Sequence, residues 1–132
     1  MQTNLAERYA NTADGREAED ILRKCVHCGF CTATCPTYQL LGDELDGPRG
    51  RIYQIKEVLE GATPTASMQT HLDRCLTCRS CETTCPSGVD YGRLADIGRK
   101  IVEDEVGRSW MQTVIRQVLI VVIPNRQLFS VL

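Results

Sequence analysis

Apolar residues recur at three- and four-residue intervals along most of the chain, which is the pattern of amphipathic α-helices. The first helix is predicted over residues 14–25, where Asp14 begins a capping-box pattern. Its apolar face comprises Ala18, Ile21, Leu22 and Cys25. Residues 1–13 show no strong period, and we expect them to be frayed.

Two more helices are predicted in the middle of the chain. Pro48 and Gly61 bracket the first, because proline favours helix starts and glycine favours helix ends. Its buried face is formed by Ile52, Ile55, Val58 and Leu59. The second helix begins after Thr63-Pro64, and its apolar face carries Met68, Leu72 and Cys75.

The clearest amphipathic helix covers residues 90–106 and ends at Gly107. Its apolar face comprises Tyr91, Leu94, Ala95, Ile101 and Val102. On the polar side, Asp96 and Lys100 have the spacing of an ion pair within a helix, as do Arg99 and Glu103.

A last helix is predicted from Trp110 to Ile123, with Ser109 as its cap. It becomes apolar all round toward its end, so it needs cover on every side. We expect residues 107–132 to begin a truncated or partner-covered region. The apolar run 118–123 is far shorter than the about twenty residues of a membrane span, so no transmembrane segment is expected.

No stretch shows the alternation that indicates a strand, so the pattern predicts an all-α fold with one domain over residues 14–106. The formal net charge of -2 provides no basic footprint for nucleic acid. Because the first twenty-five residues are polar, no export signal is expected. Eight cysteines without such a signal indicate a reducing, cytoplasmic location and metal binding rather than disulfides.

All eight cysteines lie in two copies of one pattern, C-x2-C-x2-C-x3-C-P, within an internal repeat of residues 21–36 and 71–86. This run holds [4Fe–4S] clusters in two-cluster bacterial ferredoxins, where the fourth cysteine of each run ligates the other cluster. The predicted ligands of cluster 1 are Cys25, Cys28, Cys31 and Cys85. Those of cluster 2 are Cys75, Cys78, Cys81 and Cys35.

The cysteine pattern also limits the alternatives. Zinc modules show two separated C-x2-C pairs, and the third and fourth cysteines of each run fit that arrangement poorly. An α+β fold of the bacterial two-cluster ferredoxin type is the alternative to the all-α fold. His27 is expected beside the cluster or exposed, because the cysteines already complete the ligand set.

Charged residues cluster between the two repeats. We interpret them as solvated loop residues, with a partner-docking patch as the alternative: Asp43, Glu44, Asp46, Arg49 and Arg51. The chain has no phosphate-binding loop and no Ser/His/Asp set, so no catalytic residue is predicted. Substrate oxidation is therefore expected on a flavin in another subunit.

Three segments, residues 25–38, 42–53 and 71–78, resemble the iron–sulfur subunit family of bacterial glycolate oxidases. The most specific is Gly42-Asp43-Glu44-Leu45-Asp46-Gly47-Pro48-Arg49-Gly50-Arg51. The likeness covers residues 17–106, and the family's C-terminal Cys-Cys-Gly region is absent. The resemblance implies an α-helical ferredoxin domain, like that of the succinate dehydrogenase iron–sulfur subunit.

The resemblance also implies a role in electron transfer. Partner subunits carrying FAD would oxidise glycolate to glyoxylate, and electrons would cross two [4Fe–4S] clusters toward a quinone. The expected location is then peripheral, on the inner face of the cytoplasmic membrane. Related modules serve lactate, glycerol 3-phosphate and heterodisulfide systems, which are alternatives. An iron–sulfur sensor or structural protein is an alternative of a different class.

Overall fold

The computed structural model describes residues 1–130, and within them it contains only helices, short 3-10 turns and loops. The α-helices are α1 (Glu7–Ala10), α2 (Ala13–Lys24), α3 (Pro36–Leu41), α4 (Pro48–Leu59), α5 (Ala66–Asp73), α6 (Ser80–Thr84), α7 (Tyr91–Val106), α8 (Trp110–Val122) and α9 (Arg126–Phe129). The 3-10 turns cover Phe30–Thr32 and Glu44–Asp46. The all-α prediction is confirmed, and the α+β alternative is wrong for the described residues.

The five helices predicted from apolar periodicity are all present, as α2, α4, α5, α7 and α8. The cap of α2 differs from the prediction. Thr12 is the N-cap, and its hydroxyl accepts a hydrogen bond from the backbone N–H of Gly15 at 2.9 Å. The Asp14 carboxylate instead accepts a hydrogen bond from Lys100 at 2.8 Å, because α7 packs beside α2.

Residues 1–13 are ordered against the helices, in contrast to the frayed segment expected from the sequence. Tyr9 is buried, and its hydroxyl donates to Glu105 at 2.6 Å. The amino group of Met1 donates to the carbonyl of Leu22 at 2.9 Å. These partners are distant in sequence, so local periodicity could not indicate them.

The hydrophobic core lies between α2, α4, α5 and α7. Its fully buried side chains include Leu22, Ile55, Leu59, Leu94, Ile97 and Val102. Each cysteine repeat follows one of these core helices, since α2 ends at Lys24 and α5 ends at Asp73. Within the loops, the turn Phe30–Thr32 contacts α6, so the two cysteine loops lie side by side.

Two cations on the polar side of α7, Arg99 and Lys100, contact groups outside α7 rather than acidic residues within it. Lys100 pairs with Asp14, and Arg99 donates to the carbonyls of Leu72 and Cys75, at 3.0 and 2.6 Å from its Nη2. The ion pairs predicted within α7, from Asp96 to Lys100 and from Arg99 to Glu103, are therefore not the contacts that these cations make. Both cations reach groups that the packing of α2 and α5 brings near.

Helix α8 has no buried residue. Ser109 caps it as predicted, by accepting a hydrogen bond from the backbone N–H of Gln112 at 3.4 Å. Within residues 1–130 we find no helix with the length and hydropathy needed to cross a bilayer. The prediction that a partner covers residues 107–132 stays a prediction, and Val131 and Leu132 lie outside the described residues.

Gly98 sets the approach of α7 to α4. A Cβ at this position would lie 2.5 Å from Cγ1 of Ile55, which is buried. A glycine-to-alanine change inside an open helix stabilises by about 0.5–1 kcal/mol. We expect Gly98→Ala to destabilise instead, by about 1–3 kcal/mol, because it overpacks the core.

The free energy of unfolding would be measured by anaerobic urea titration of the cluster-loaded protein, with circular dichroism as the signal. Ile55→Ala provides the control, because it removes the atoms that the new methyl group meets. The cost of the Gly98→Ala/Ile55→Ala double variant should be smaller than the sum of the two single costs. A stabilised Gly98→Ala variant would contradict the packing described here.

Candidate metal centre

The two cysteine loops repeat the same backbone conformation. His27 and Thr77, each two residues after the first cysteine of its run, have φ angles of 57° and 53°. Gly29 and Arg79, each four residues after it, have φ angles of 88° and 58°. Left-handed residues of this kind curve a loop into a concavity that presents backbone N–H groups to anions. Of these four residues only Gly29 is a glycine, so the sequence indicated a left-handed conformation only there.

The first cavity holds about 450 Å³ of space between the loop of the first repeat and the segment after α6. Its thiols are those of Cys25, Cys28, Cys31, Cys81 and Cys85. The fourth cysteine of the second repeat, Cys85, therefore lies with the first three cysteines of the first repeat. Cys28 is the exposed thiol of this group.

The second cavity is smaller, about 300 Å³, and lies against α3, α4 and the second loop. Its thiols are those of Cys35, Cys75, Cys78 and Cys81. Cys35, the fourth cysteine of the first repeat, thus lies with the first three cysteines of the second. Cys78 is the exposed thiol, and it occupies the same place in its repeat as Cys28.

A shared wall separates the two cavities. Three residues line both of them: Pro48, Cys81 and Tyr91. All three are buried. The structure therefore brings the eight predicted ligands together in two adjacent groups, with Cys81 between them.

The environments of Cys31 and Cys81 oppose ionisation of these two thiols unless a metal is bound. Burial, with the neighbouring thiols adding to it, raises the pKa of Cys31 to about 11 and that of Cys81 to about 12. Hydrogen bonds from Ser80 lower the pKa of the exposed Cys78. Because thiolates are the ligands, metal binding here must release protons and is coupled to folding.

The lining residues fit an iron–sulfur cluster in each cavity. Eight thiols are the donors, which is the soft ligand set that clusters require. In the first cavity, Nδ1 of His27 is buried without a hydrogen-bond partner among the described residues, so a bound group could provide one. Burial and the charge of Arg49 lower the pKa of His27, which favours its neutral form.

A buried charged network lies beside the second cavity. Asp46 and Arg51 are both fully buried, which contradicts their interpretation as solvated loop residues. The carboxylate of Asp46 accepts hydrogen bonds from Arg74 at 2.8 Å and His71 at 3.0 Å, and it contacts Arg51 at 3.4 Å. Burial acts to raise the pKa of Asp46, but hydrogen bonds from His71 and Arg74 outweigh it and lower the pKa.

This network reaches the sulfur atoms through Thr37. Arg51 donates to the hydroxyl of Thr37 at 3.1 Å, and that hydroxyl lies 3.2 Å from Sγ of Cys35. Arg51 also donates to the carbonyl of His71 at 2.7 Å, which ties α4 to α5. On another side of the cavity, the Tyr91 hydroxyl donates to Sγ of Cys75 at 3.5 Å.

The spacing of Arg51 from the apolar residues of α4 predicts that Arg51 is buried. It precedes Ile55 by four residues and Val58 by seven, so it falls on the apolar face of α4. Asp46 carries no comparable local signal, because its partners come from α4, α5 and the loop after α5.

The chain is similar to known iron–sulfur proteins. A family profile described as "4Fe-4S dicluster domain" matches residues 21–89. The chain is 63% identical over 132 residues to the glycolate oxidase iron-sulfur subunit of Escherichia coli (strain K12), covering 100% of this chain and 32% of that protein. It is 41% identical over 113 residues to the probable glycolate oxidase iron-sulfur subunit of Bacillus subtilis (strain 168), covering 84% of this chain and 26% of that protein.

A more distant relative is the succinate dehydrogenase iron-sulfur subunit of Paracoccus denitrificans, 25% identical over 105 residues, covering 74% of this chain and 40% of that protein. The predicted resemblance to glycolate oxidase iron–sulfur subunits is confirmed. The chain spans about a third of the length of the Escherichia coli relative.

The Asp46 network makes a testable contribution to stability. We expect Asp46→Asn to lower the free energy of unfolding by about 3–5 kcal/mol, because it leaves the Arg51 charge buried without its carboxylate. The control is Asp43→Asn, because Asp43 is an exposed carboxylate within 4.8 Å of Asp46 and His71 that accepts a hydrogen bond from the backbone N–H of Leu45. That change should cost little, because asparagine caps a turn about as well as aspartate. Equal effects in anaerobic urea unfolding would show that the network does not stabilise the fold.

Proposed function

Because the chain belongs to the 4Fe-4S dicluster domain family, we propose that it binds two [4Fe–4S] clusters and transfers single electrons between redox partners. The observation that carries this proposal is the grouping of eight thiols around two cavities that share a wall. A bound cluster supplies one-electron chemistry. The chain supplies the ligands, their spacing and their surroundings.

We assign the ligands by cavity. Cluster 1 is bound by Cys25, Cys28, Cys31 and Cys85, and cluster 2 by Cys75, Cys78, Cys81 and Cys35. Cys81 lines both cavities, and its place in the second run assigns it to cluster 2. Each loop therefore contributes three ligands to one cluster and one to the other.

The surroundings of the thiols suit electron transfer across the molecule. Pro48, Cys81 and Tyr91 line both cavities, so the cavities are adjacent and the donor and acceptor positions are close. The exposed thiols, Cys28 and Cys78, mark where each cavity comes nearest to solvent. We infer that electrons enter near one of these thiols and leave near the other.

The most similar relatives suggest the physiological reaction. We propose that this chain is the electron-transfer part of a glycolate oxidase, receiving electrons from FAD in partner subunits that oxidise glycolate to glyoxylate. The eventual acceptor is proposed to be a quinone, with the protein peripheral to the inner face of the cytoplasmic membrane. The chain has no substrate site of its own in this proposal.

A first experiment tests the exchanged ligands. Cys35→Ser should alter the spectroscopic signal of the cluster that Cys78→Ser also alters, because both thiols line the second cavity. Cys85→Ser should act in the same way with Cys28→Ser, since they share the first cavity. EPR of the reduced, anaerobically purified variants makes the comparison. Cys35→Ser and Cys28→Ser altering the same signal would exclude the crossed assignment.

A second experiment tests the substrate. Flavoproteins that copurify with the chain from its native host should reduce its clusters when glycolate is added, as measured by anaerobic bleaching of visible absorbance. Lactate and glycerol 3-phosphate serve as matched substrates. Faster bleaching with lactate or glycerol 3-phosphate would indicate that the chain serves another dehydrogenase. If no flavoprotein bleaches the clusters, the sensor or structural alternative is favoured.

A further inference from the structure

The charges around the two cavities are unequal. Arg51 lines the second cavity and is the largest fully buried side chain among the described residues. It shares the carboxylate of Asp46 with Arg74, so two guanidinium groups face one carboxylate and the group retains positive charge. Arg79 also lines this cavity, but it is exposed and lies 3.8 Å from Glu82. Since the Arg74 side chain is 48% exposed and therefore screened, the buried positive charge at this cavity is that of Arg51.

Hydrogen-bond donors are also concentrated at the second cavity. The hydroxyl of Thr37 lies 3.2 Å from Sγ of Cys35, and the hydroxyl of Tyr91 donates to Sγ of Cys75. Arg51 donates to the oxygen of Thr37, and the single proton of that hydroxyl lies between two acceptors, the carbonyl of Asp46 at 2.8 Å and Sγ of Cys35 at 3.2 Å. The guanidinium of Arg99 donates a hydrogen bond to the carbonyl of Cys75 at 2.6 Å.

The first cavity also has a cation on a cysteine carbonyl, because the amino group of Met1 donates to the carbonyl of Cys25, but none of its lining residues is a buried guanidinium like Arg51. Its cationic lining residue, Arg49, is paired with Glu44 at 2.6 Å, and both side chains are partly exposed to solvent. Their charges therefore largely cancel and are screened.

Reduction adds one negative charge to a cluster, so buried positive charge and hydrogen bonds to its sulfurs raise its reduction potential. We propose that Arg51, acting with Thr37, raises the potential of the cluster in the second cavity above that of the cluster in the first. Arg51 is then a residue that sets the direction of electron flow. This inference rests on the proposed function.

The direction of transfer follows from the difference in reduction potential. With clusters bound, one electron would pass from the reduced cluster of the first cavity to the oxidised cluster of the second, with no bond made or broken. The second cavity therefore retains the electron at equilibrium. Electrons from a donor would enter near Cys28 and leave near Cys78, the exposed thiols of the two groups.

The test is an EPR-monitored potentiometric titration of the anaerobically purified chain, with iron and sulfide measured on each sample. Cys28→Ser and Cys78→Ser identify which signal belongs to which cavity. We expect the wild type to show the higher midpoint for the second cavity. Arg51→Met should move that midpoint to lower potential while leaving the other nearly unchanged, and Arg51→Lys should restore most of the shift.

Two further variants keep the test decisive. Thr37→Val removes the hydroxyl beside Cys35 while keeping its shape, so it should lower the same midpoint even if Arg51→Met fails to fold. Arg49→Met, two residues from Arg51 on α4, should leave the second midpoint in place. A higher midpoint for the first cavity, or equal shifts at both, with full iron and sulfide, would overturn this inference alone. A wild type without sulfide would overturn the proposed function as well.

Discussion

The fourth cysteine of each repeat lines the cavity of the other repeat, and the helices are arranged around this exchange. Cys85 lies with the thiols of the first loop, and Cys35 lies with those of the second. Neither loop can complete a set of four thiols alone. The loops must therefore lie side by side, which they do where the turn Phe30–Thr32 contacts α6. If clusters fill the cavities, their binding also holds the two halves of the domain together.

Holding the loops in this arrangement requires the burial of two charged side chains, which costs desolvation free energy. Asp46 and Arg51 are removed from water, and the desolvation of such a pair can exceed its attraction. Removing either partner would nevertheless destabilise the fold, because it leaves the other charge buried, and Arg51 also connects α4 to α5 and to Thr37 beside Cys35. A duplicated sequence thus gives two unequal sites, since the repeat covers the cysteine loops but not the segment from Asp43 to Arg51.

Much of this structure was predictable from apolar spacing. Positions such as Ile55 and Leu94 recur at helical intervals, and burial there depends on local pattern alone. The burial of Asp46 was not predictable in the same way, since its partners His71 and Arg74 are more than twenty residues away. The packing of Tyr9 against α7 was unpredictable for the same reason, because its partner Glu105 is far away in the sequence. The left-handed conformation of His27 and Thr77 was also missed, because glycine is the residue that usually signals it.

The cysteine spacing predicted the candidate ligands, and the structure adds how they are grouped and what surrounds each group. The unequal surroundings follow from residues outside the motif, among them Arg51, Thr37 and Tyr91. A cysteine pattern alone therefore cannot distinguish the two sites. The difference arises from how α4 and α7 pack against the second loop.

We propose that two clusters occupy adjacent cavities that share Pro48, Cys81 and Tyr91 as lining residues. The most direct measurement is the EPR spectrum of the air-protected chain after reduction with dithionite. We expect about two spins per chain, with spectra broadened by magnetic interaction between neighbouring clusters. A colourless, EPR-silent sample that contains zinc would contradict it, and so would a spectrum of only one isolated cluster.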